Sequence, residues 1–276
     1  MFYIEKNDKP SWLEKKLNIV KVIDNTIILP TLESTSQIEK MALKTKKIIE
    51  KYSNSKKIVI SKEIEKEDTY INYLNTYGIE ISDGKWLFEI LVPEIIEYII
   101  NKKQLENFRI SVLINDLTNI EIENIKILAR KYKLINIITN HIEKFKNLER
   151  ILDEEGIVIA VTNNKKKSLI KSEIILNIDF PQELINKFNI KEDAVIVNIK
   201  GKTKINKKRF NGLCVNDYEI DFRDDRKSQK ALNSKYSLKN LYESELYKKQ
   251  RIDEIRNKIK FDKVVIKYLI LNNGEL

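Results

Sequence analysis

The sequence predicts an α/β protein in which a parallel β-sheet carries helices on both faces, with a smaller N-terminal α/β lobe before it. From residue 109 onward, short runs of Ile, Val and Leu alternate with segments of helical periodicity. This alternation implies right-handed crossovers between parallel strands. The runs are apolar throughout, which is typical of strands that are buried on both faces.

The N-terminal α/β lobe is predicted over residues 1–105. Its apolar runs and helical periodicities predict strands at 26–30, which can pair with 19–22, at 57–61 and at 78–82, and helices at 36–52, 66–76 and 86–100. Pro93 lies within the last of these helical segments, where it marks either a helix start or a kink.

The regular alternation predicts a second domain over 106–200, and 201–276 is predicted to be a basic C-terminal extension. The second domain has predicted strands at 109–114, 134–139, 157–161, 174–178 and 194–199, with helices at 119–132 and 142–153. The extension has predicted short strands at 204–205, 212–215 and 218–220, a helix at 241–260 and a strand at 264–270. One arrangement we consider has this last helix and strand packing back on the lobe.

The composition is that of a folded protein without disulfides. Of 276 residues, 42% are hydrophobic and 33% are charged. The one cysteine, Cys214, excludes an internal disulfide and a cysteine-rich zinc site. No apolar run approaches the roughly 18–20 residues that span a bilayer, and the first residues lack the apolar segment of a signal peptide. We therefore expect a cytoplasmic protein without a membrane partner.

Positive charge is concentrated in the last quarter of the chain. The net charge is +10, and residues 200–276 contain 20 Lys and Arg against 11 Asp and Glu, whereas residues 1–199 contain 31 against 30. Two interpretations stay open. Residues 200–260 could bind a nucleic acid, since the segment 207–212 mixes basic residues with Phe210, or the lysines could simply form a solvated surface.

The segment 109–199 resembles the Rossmann-like half-domain of the shikimate dehydrogenase and glutamyl-tRNA reductase families. The resemblance rests on the strands at 110–114 and 135–139 and on 172–177 in the place of a late strand, and it covers about a third of the chain. It implies an NADP site where the first strand opens into a G-x-G-x-x-G turn.

The turn that follows the first strand has none of those glycines. The three positions fall on Asn115, Leu117 and Ile120, whose side chains would occupy the volume that the phosphates need. Thr118 and Glu121 have the spacing of a capping box, so they would satisfy donors that a phosphate would otherwise use. The turn is therefore either a well-capped helix start or a modified dinucleotide site.

Further ligand-binding candidates follow the later strands. Asn140 and His141 come after the second strand, where the resemblance implies contacts with the adenosine ribose; a surface or helix-capping role is the alternative. Asn163 and Lys165 lie in a polar and basic loop, which could bind an anion or be an exposed connection. Asp179 could orient a ligand, serve as a base or cap the next helix.

Motifs that are absent exclude several enzyme classes. The sequence has no P-loop, no G-x-S-x-G elbow and no zinc or calcium motif, so no metal is expected. Our first hypothesis is a non-catalytic binding or scaffold protein with an unknown protein partner or small ligand and no cofactor. The alternatives are an NAD(P)-dependent oxidoreductase with an atypical turn and a nucleic-acid-binding protein.

Overall fold

The computed structural model describes residues 1–30, 34–53, 55–206, 209–223, 235–247, 249 and 251–276. These residues form two compact units. The first unit is Met1–Gly84 with Phe222–Asp262, and the second is Lys85–Asp221 with Lys263–Leu276. The structure thus divides the chain at Gly84, whereas the predicted boundaries lay at 105 and 200. The reason is that the helices after Gly84 pack within the second unit, and the C-terminal residues are shared between the units.

The described part of the first unit contains a five-stranded sheet in the order β2-β3-β1-β4-β5. Its elements are β1 (Phe2–Lys6), α1 (Trp12–Leu17), β2 (Lys21–Ile23), β3 (Thr26–Leu29), α2 (Thr35–Tyr52), β4 (Lys57–Ile60), a 3-10 turn (Ile64–Lys66), α3 (Asp68–Thr76) and β5 (Glu80–Ile81). Strands β3, β1, β4 and β5 are parallel, and β2 is antiparallel to β3.

Strand β1 lies at the centre of this sheet, although the sequence prediction placed the first strand near residue 26. Phe2 and Ile4 are buried and alternate with the more exposed Tyr3 and Glu5, which is the period of a strand with one face in the core. Over five residues this alternation is too short to stand out. Helix α2 packs through Ile38, Met41, Ala42, Thr45 and Ile49, all of which are buried.

The described part of the second unit contains an eight-stranded sheet in the order β13-β12-β11-β10-β9-β6-β7-β8. Its elements are α4 (Lys85–Ile90), α5 (Val92–Lys103), β6 (Ile110–Leu113), α6 (Asn119–Lys131), β7 (Ile135–Ile138), α7 (Ile142–Glu154), β8 (Ala160–Thr162), α8 (Lys165–Leu169), β9 (Ile174–Asn177), α9 (Gln182–Ile185), β10 (Val195–Asn198), β11 (Leu213–Phe222), β12 (Val264–Leu271) and β13 (Gly274–Glu275). Pro93 lies in the first turn of α5, which resolves its role as a helix start.

The six parallel strands of this sheet have the order of a Rossmann-like fold. Numbered from β6, the series β8-β7-β6-β9-β10-β11 reads 3-2-1-4-5-6, the order of dinucleotide-binding sheets. The chain reverses its direction of progress between β6 and β9. In open α/β sheets, ligands bind outside the carboxyl ends of the strands at such a switch point.

Three predictions for the C-terminal residues were wrong in detail. The predicted strand at 204–205 does not form. The pieces at 212–215 and 218–220 form one strand, β11, which continues the parallel sheet. The turn-like residue Asn216 does not interrupt it, because its side chain bonds to Asn198 of the neighbouring strand.

The predicted helix 241–260 is two helices of the first unit, α10 (Leu238–Leu246) and α11 (Ile252–Phe261). The backbone of Arg251 is extended just before α11 begins, and the hydroxyl of Tyr242 donates to Asp262 at 2.9 Å, which joins the two helices. The strand after them, β12, belongs to the second unit.

Candidate functional site

The carboxyl ends of β6, β7, β8 and β9 carry a continuous network of polar side chains. The centre of the network is Asp179, two residues after β9. The backbone N–H of Asn115 donates to both carboxylate oxygens of Asp179, at 2.9 Å each, and the N–H of Asp116 donates to one of them at 2.9 Å. The side chain of Asp179 thus takes up the backbone donors of the turn that follows β6.

The network continues from Asn115 across β7 to β8. The side-chain oxygen of Asn115 accepts the N–H of Asn140 at 3.0 Å, and the side-chain oxygen of Asn140 contacts the ammonium of Lys165. The same ammonium lies 5.8 Å from the ring centre of Phe180, a cation–π distance. Four of the residues predicted from sequence, Asn115, Asn140, Lys165 and Asp179, are therefore brought together.

The start of α6 carries a second group of charges. An oxygen of the Glu121 carboxylate accepts the N–H of Thr118 at 2.8 Å and contacts its hydroxyl, as the capping-box spacing predicted. The other oxygen lies 3.0 Å from the ammonium of Lys200, which also lies 3.4 Å from the carboxylate of Glu89. Glu89 and Lys200 were not predicted as site residues, since nothing in their local sequence connects α4 and the end of β10 to this turn.

The carboxylates of Glu89 and Glu121 interact with each other, and for this reason their pKa values move in opposite directions. Burial, followed by the neighbouring carboxylate of Glu121, raises the pKa of Glu89 to about 7. Burial alone would raise the pKa of Glu121 too, but the hydrogen bond from Glu89 and the ion pair with Lys200 lower it. Glu89 therefore holds the proton of the pair, and Glu121 stays the anion.

The carboxylates at this edge form ion pairs with lysines. The ammonium of Lys144 lies 2.6 Å from the carboxylate of Asp116, and this contact lowers the pKa of Asp116. Lys165 contacts Asn140, and Lys200 contacts the carboxylate of Glu121 in the same way. The ammonium and amide groups of this edge can form hydrogen bonds with a ligand.

A ladder of asparagines joins the neighbouring strands β9, β10 and β11 and was not predicted. The amide of Asn177 donates to the side-chain oxygen of Asn198 at 3.2 Å, and Asn198 donates to that of Asn216 at 2.9 Å. Asn216 in turn donates to Asn272 at 2.6 Å. The recurrence of Asn after the apolar runs of β9 and β10 could have indicated it, because strands in register place these residues side by side.

Two other predicted residues, His141 and Asn163, lie at the same edge, and the hydrogen bonds described for them are made by their backbone groups. His141 is exposed at the N-cap of α7, with its backbone N–H donating to the hydroxyl of Thr139 at 3.0 Å, and no capping bond of its side chain forms. Asn163 is exposed, and its carbonyl accepts the N–H of Lys165 at 3.0 Å.

Asp179 does not cap the next helix, the role we considered for it from sequence. The N-cap of α9 is Pro181, without a side-chain capping bond. The Asp179 carboxylate reaches the turn after β6 because β6 and β9 are neighbouring strands, paired Leu113 to Asn177. This long-range pairing is not visible in the local sequence.

The basic segment 207–212 is only partly placed. Lys207 and Lys208 lie outside the described residues. Phe210 packs against the core of the second unit, and a Cβ on Gly212 would come within 2.6 Å of its ring. The Phe210 ring is therefore engaged in packing.

Among the described residues, no group of three or more His, Cys, Asp or Glu side chains is arranged to hold a metal ion. A search of the same residues for a helix of the length and hydropathy of a membrane span found none.

Comparisons with known proteins give a fold likeness of low score. No protein-family model and no curated protein sequence matches the chain. An ornithine carbamoyltransferase from Gloeobacter violaceus is 11% identical with a TM-score of 0.29, covering 76% of this chain and 77% of that one. A putative aspartate carbamoyltransferase from Trypanosoma cruzi is 12% identical with a TM-score of 0.27, covering 71% and 68%. A shikimate 5-dehydrogenase-like protein is 13% identical with a TM-score of 0.26, covering 71% and 76%.

Proposed function

We propose that the protein is a non-catalytic, Rossmann-like binding protein in which its own carboxylates occupy the place of a dinucleotide's diphosphate. The observation that carries the proposal is the pair of backbone N–H groups at Asn115 and Asp116, both of which donate to Asp179. In dinucleotide-binding sheets, backbone donors after the first strand receive the diphosphate.

Electrostatics oppose a phosphate at this position. A phosphate at the N–H groups of Asn115 and Asp116 would meet the carboxylate of Asp179, whereas Lys144 and Lys200 offset the charges of Asp116 and Glu121. Each like-charge pair at 4 Å costs about 1 kcal/mol in bulk water and about 4 kcal/mol near a protein surface. A helix N-terminus contributes only about 0.3–1 kcal/mol toward binding an anion. The repulsion therefore outweighs the attraction unless Asp179 moves away.

The remaining polar groups of this edge suit hydrogen bonding to a partner. Asn140 is exposed and contacts the ammonium of Lys165, and the ammonium of Lys144 contacts Asp116 of the same edge. Their contacts with Asp116 and Asn140 lie near the surface, where such pairs are worth about 0–1 kcal/mol and can be exchanged for contacts with another molecule. We assign the binding role to these three residues, for a protein or a small ligand.

Thermal denaturation with NAD and with NADP tests the proposal. A dinucleotide present at about 100 times its dissociation constant would stabilise the protein by about 2.7 kcal/mol, and we expect no such change. A stabilisation by either compound, lost in a Thr118→Glu variant that adds negative charge to this turn, would instead support an oxidoreductase with an atypical turn.

A pull-down under native conditions tests the binding role. A partner retained by the unmodified chain should be lost when Asn140 and Lys165 are both replaced by alanine. The matched control is Lys146→Ala, a lysine on the same helix as Lys144 whose ion pair with Glu143 is exposed. Retention by the double variant would contradict the assignment of these residues. Binding to DNA or RNA that weakens steeply with salt would favour the nucleic-acid alternative.

A further inference from the structure

The N-terminal part of the first unit exposes an unusual amount of apolar surface. Four large side chains are more than half exposed: Trp12 at 68%, Leu13 at 55%, Leu17 at 60% and Ile23 at 57%. Leu13 and Leu17 are spaced by one turn of α1, so they lie on the same side of that helix. Scattered apolar residues are normal on a surface, whereas a contiguous group marks an interaction site.

One member of the group, Leu17, also lines a shallow depression next to α1. Leu17, Ile19, Val20 and Ile48 line it together with two lysines of α2, Lys44 and Lys47, and its volume is about 420 Å³. The lysine Lys44 donates to the carbonyl of Asn18 at 2.8 Å, which ties α2 to the end of α1. We call Trp12, Leu13, Leu17, Ile19 and Ile23 the apolar patch.

Lysines surround the apolar patch. Lys15 and Lys16 lie on α1, and the ammonium of Lys16 is 4.7 Å from the ring centre of Trp12. The one acidic residue of α1, Glu14, is bound by Lys21 and by the backbone N–H of Ser11. Glu14 is therefore paired, and the ammonium groups of Lys15, Lys16, Lys44 and Lys47 place positive charge beside the apolar patch, against the exposed carboxylate of Asp24 that follows Ile23.

We propose that the apolar patch and its lysines dock on a negatively charged lipid bilayer. An exposed tryptophan beside lysines is the composition of membrane interfaces, because the indole sits at headgroup level and the lysine chains reach the phosphates. The positive surface complements anionic lipids. A second copy of the chain fits less well, since its lysines would face these lysines.

The sequence prediction of no membrane partner rested on the lack of a segment that could span a bilayer. A peripheral contact needs no such segment, because apolar side chains enter only the headgroup boundary. The apolar patch lies wholly within the first unit, so this inference is independent of the function proposed for the second unit.

Sedimentation with vesicles tests the inference. We expect the full chain to bind vesicles of equal parts phosphatidylcholine and phosphatidylglycerol, and to bind pure phosphatidylcholine at least roughly tenfold more weakly. The variant L13E/L17E should lose binding. Replacing Lys15 and Lys16 by glutamine should weaken it roughly 30-fold, because each lysine near the surface contributes roughly fivefold to the affinity.

The matched control is Leu134→Glu, which replaces an apolar side chain that is 51% exposed in the second unit by the same charged residue. This variant should bind like the unmodified chain.

Trp12 supplies a readout without charge changes: its fluorescence emission should shift to the blue on the mixed vesicles, and Trp12→Phe should remove that shift. Failure of the unmodified chain to bind, equal binding to both vesicles, or full binding by L13E/L17E would overturn the inference. A dimer that L13E/L17E dissociates, without vesicle binding, would identify a second copy as the occupant.

Discussion

A carboxylate two residues beyond a strand can change what a neighbouring turn is able to bind. The turn after β6 has backbone donors at Asn115 and Asp116, and both are satisfied by Asp179 of the adjacent strand connection. Unpaired donors at this place would attract an external anion. Here the anion is part of the chain, so the turn is held in place without a ligand.

The Glu89–Glu121 pair leads to a prediction about pH. The folded protein binds the Glu89 proton more tightly than the unfolded chain does, because the pKa of Glu89 rises from 4.5 to about 7. The contribution of Glu89 to the free energy of unfolding is therefore greatest below about pH 4.5 and falls as the pH rises to about 7. Glu89→Gln should remove this loss, by on the order of 1–3 kcal/mol at about pH 8. Urea denaturation at about pH 5 and about pH 8 measures it.

The control for this prediction is Glu97→Gln. The Glu97 side chain is 52% exposed and its carboxylate pairs with Lys131. A surface pair of this kind contributes about 0–1 kcal/mol, so the control should change stability little and equally at both pH values. If Glu89→Gln shows the same small change at both, the two carboxylates do not share a proton.

At the scale of elements, the ends of the strands are tied together by amides. Asn198 is 1% exposed, and its side chain bonds to Asn177, to Asn216 and to the carbonyl of Val215. Burying amides is favourable only when their bonds are made, so the ladder fixes the register of β9, β10 and β11.

Asn198→Ala should destabilise the protein by about 1–3 kcal/mol, because it removes the three hydrogen bonds of a buried amide and takes one partner each from Asn177 and Asn216. Thermal denaturation should show this as a fall in Tm of about 2–4 °C for each kcal/mol. Asn136→Ala, at a partly exposed position of β7, is the matched control and should cost less. Equal effects of the two substitutions would argue against a ladder that stabilises the sheet.

The elements that sequence could predict were those with a strong local pattern. The mostly apolar strands β6, β7, β9 and β10 and the amphipathic helices α2, α6 and α7 have such patterns and lie where they were predicted. Strand β1 was missed because its pattern is short, and β11 was divided because Asn216 and Asp217 are turn-forming residues. The candidate site could be predicted only as residues after strand ends, since its hydrogen bonds join residues 64 and 79 positions apart in the sequence.

At the scale of the whole molecule, the second unit has the strand order of a dinucleotide-binding sheet, but a carboxylate of the chain lies at the point where the strand order reverses. Folds of this kind host many unrelated functions, so function follows from the site. The same unit places amides and lysines after β7 and β8, and carboxylates after β6 and β9. We propose that a single carboxylate at the junction of the two halves of the sheet, Asp179, keeps external anions from the turn after β6.

The most direct measurement is the stability of Asp179→Ala with and without inorganic phosphate. If Asp179 occupies the anion position, its loss should cost about 1–3 kcal/mol, because the donors at Asn115 and Asp116 become unpaired. Phosphate should then restore part of the loss in Asp179→Ala and stabilise the unmodified chain less. Asp193→Ala, which removes a carboxylate that is 69% exposed, should show neither effect. An Asp179→Ala variant as stable as the unmodified chain, or an equal response of both to phosphate, would contradict the proposal.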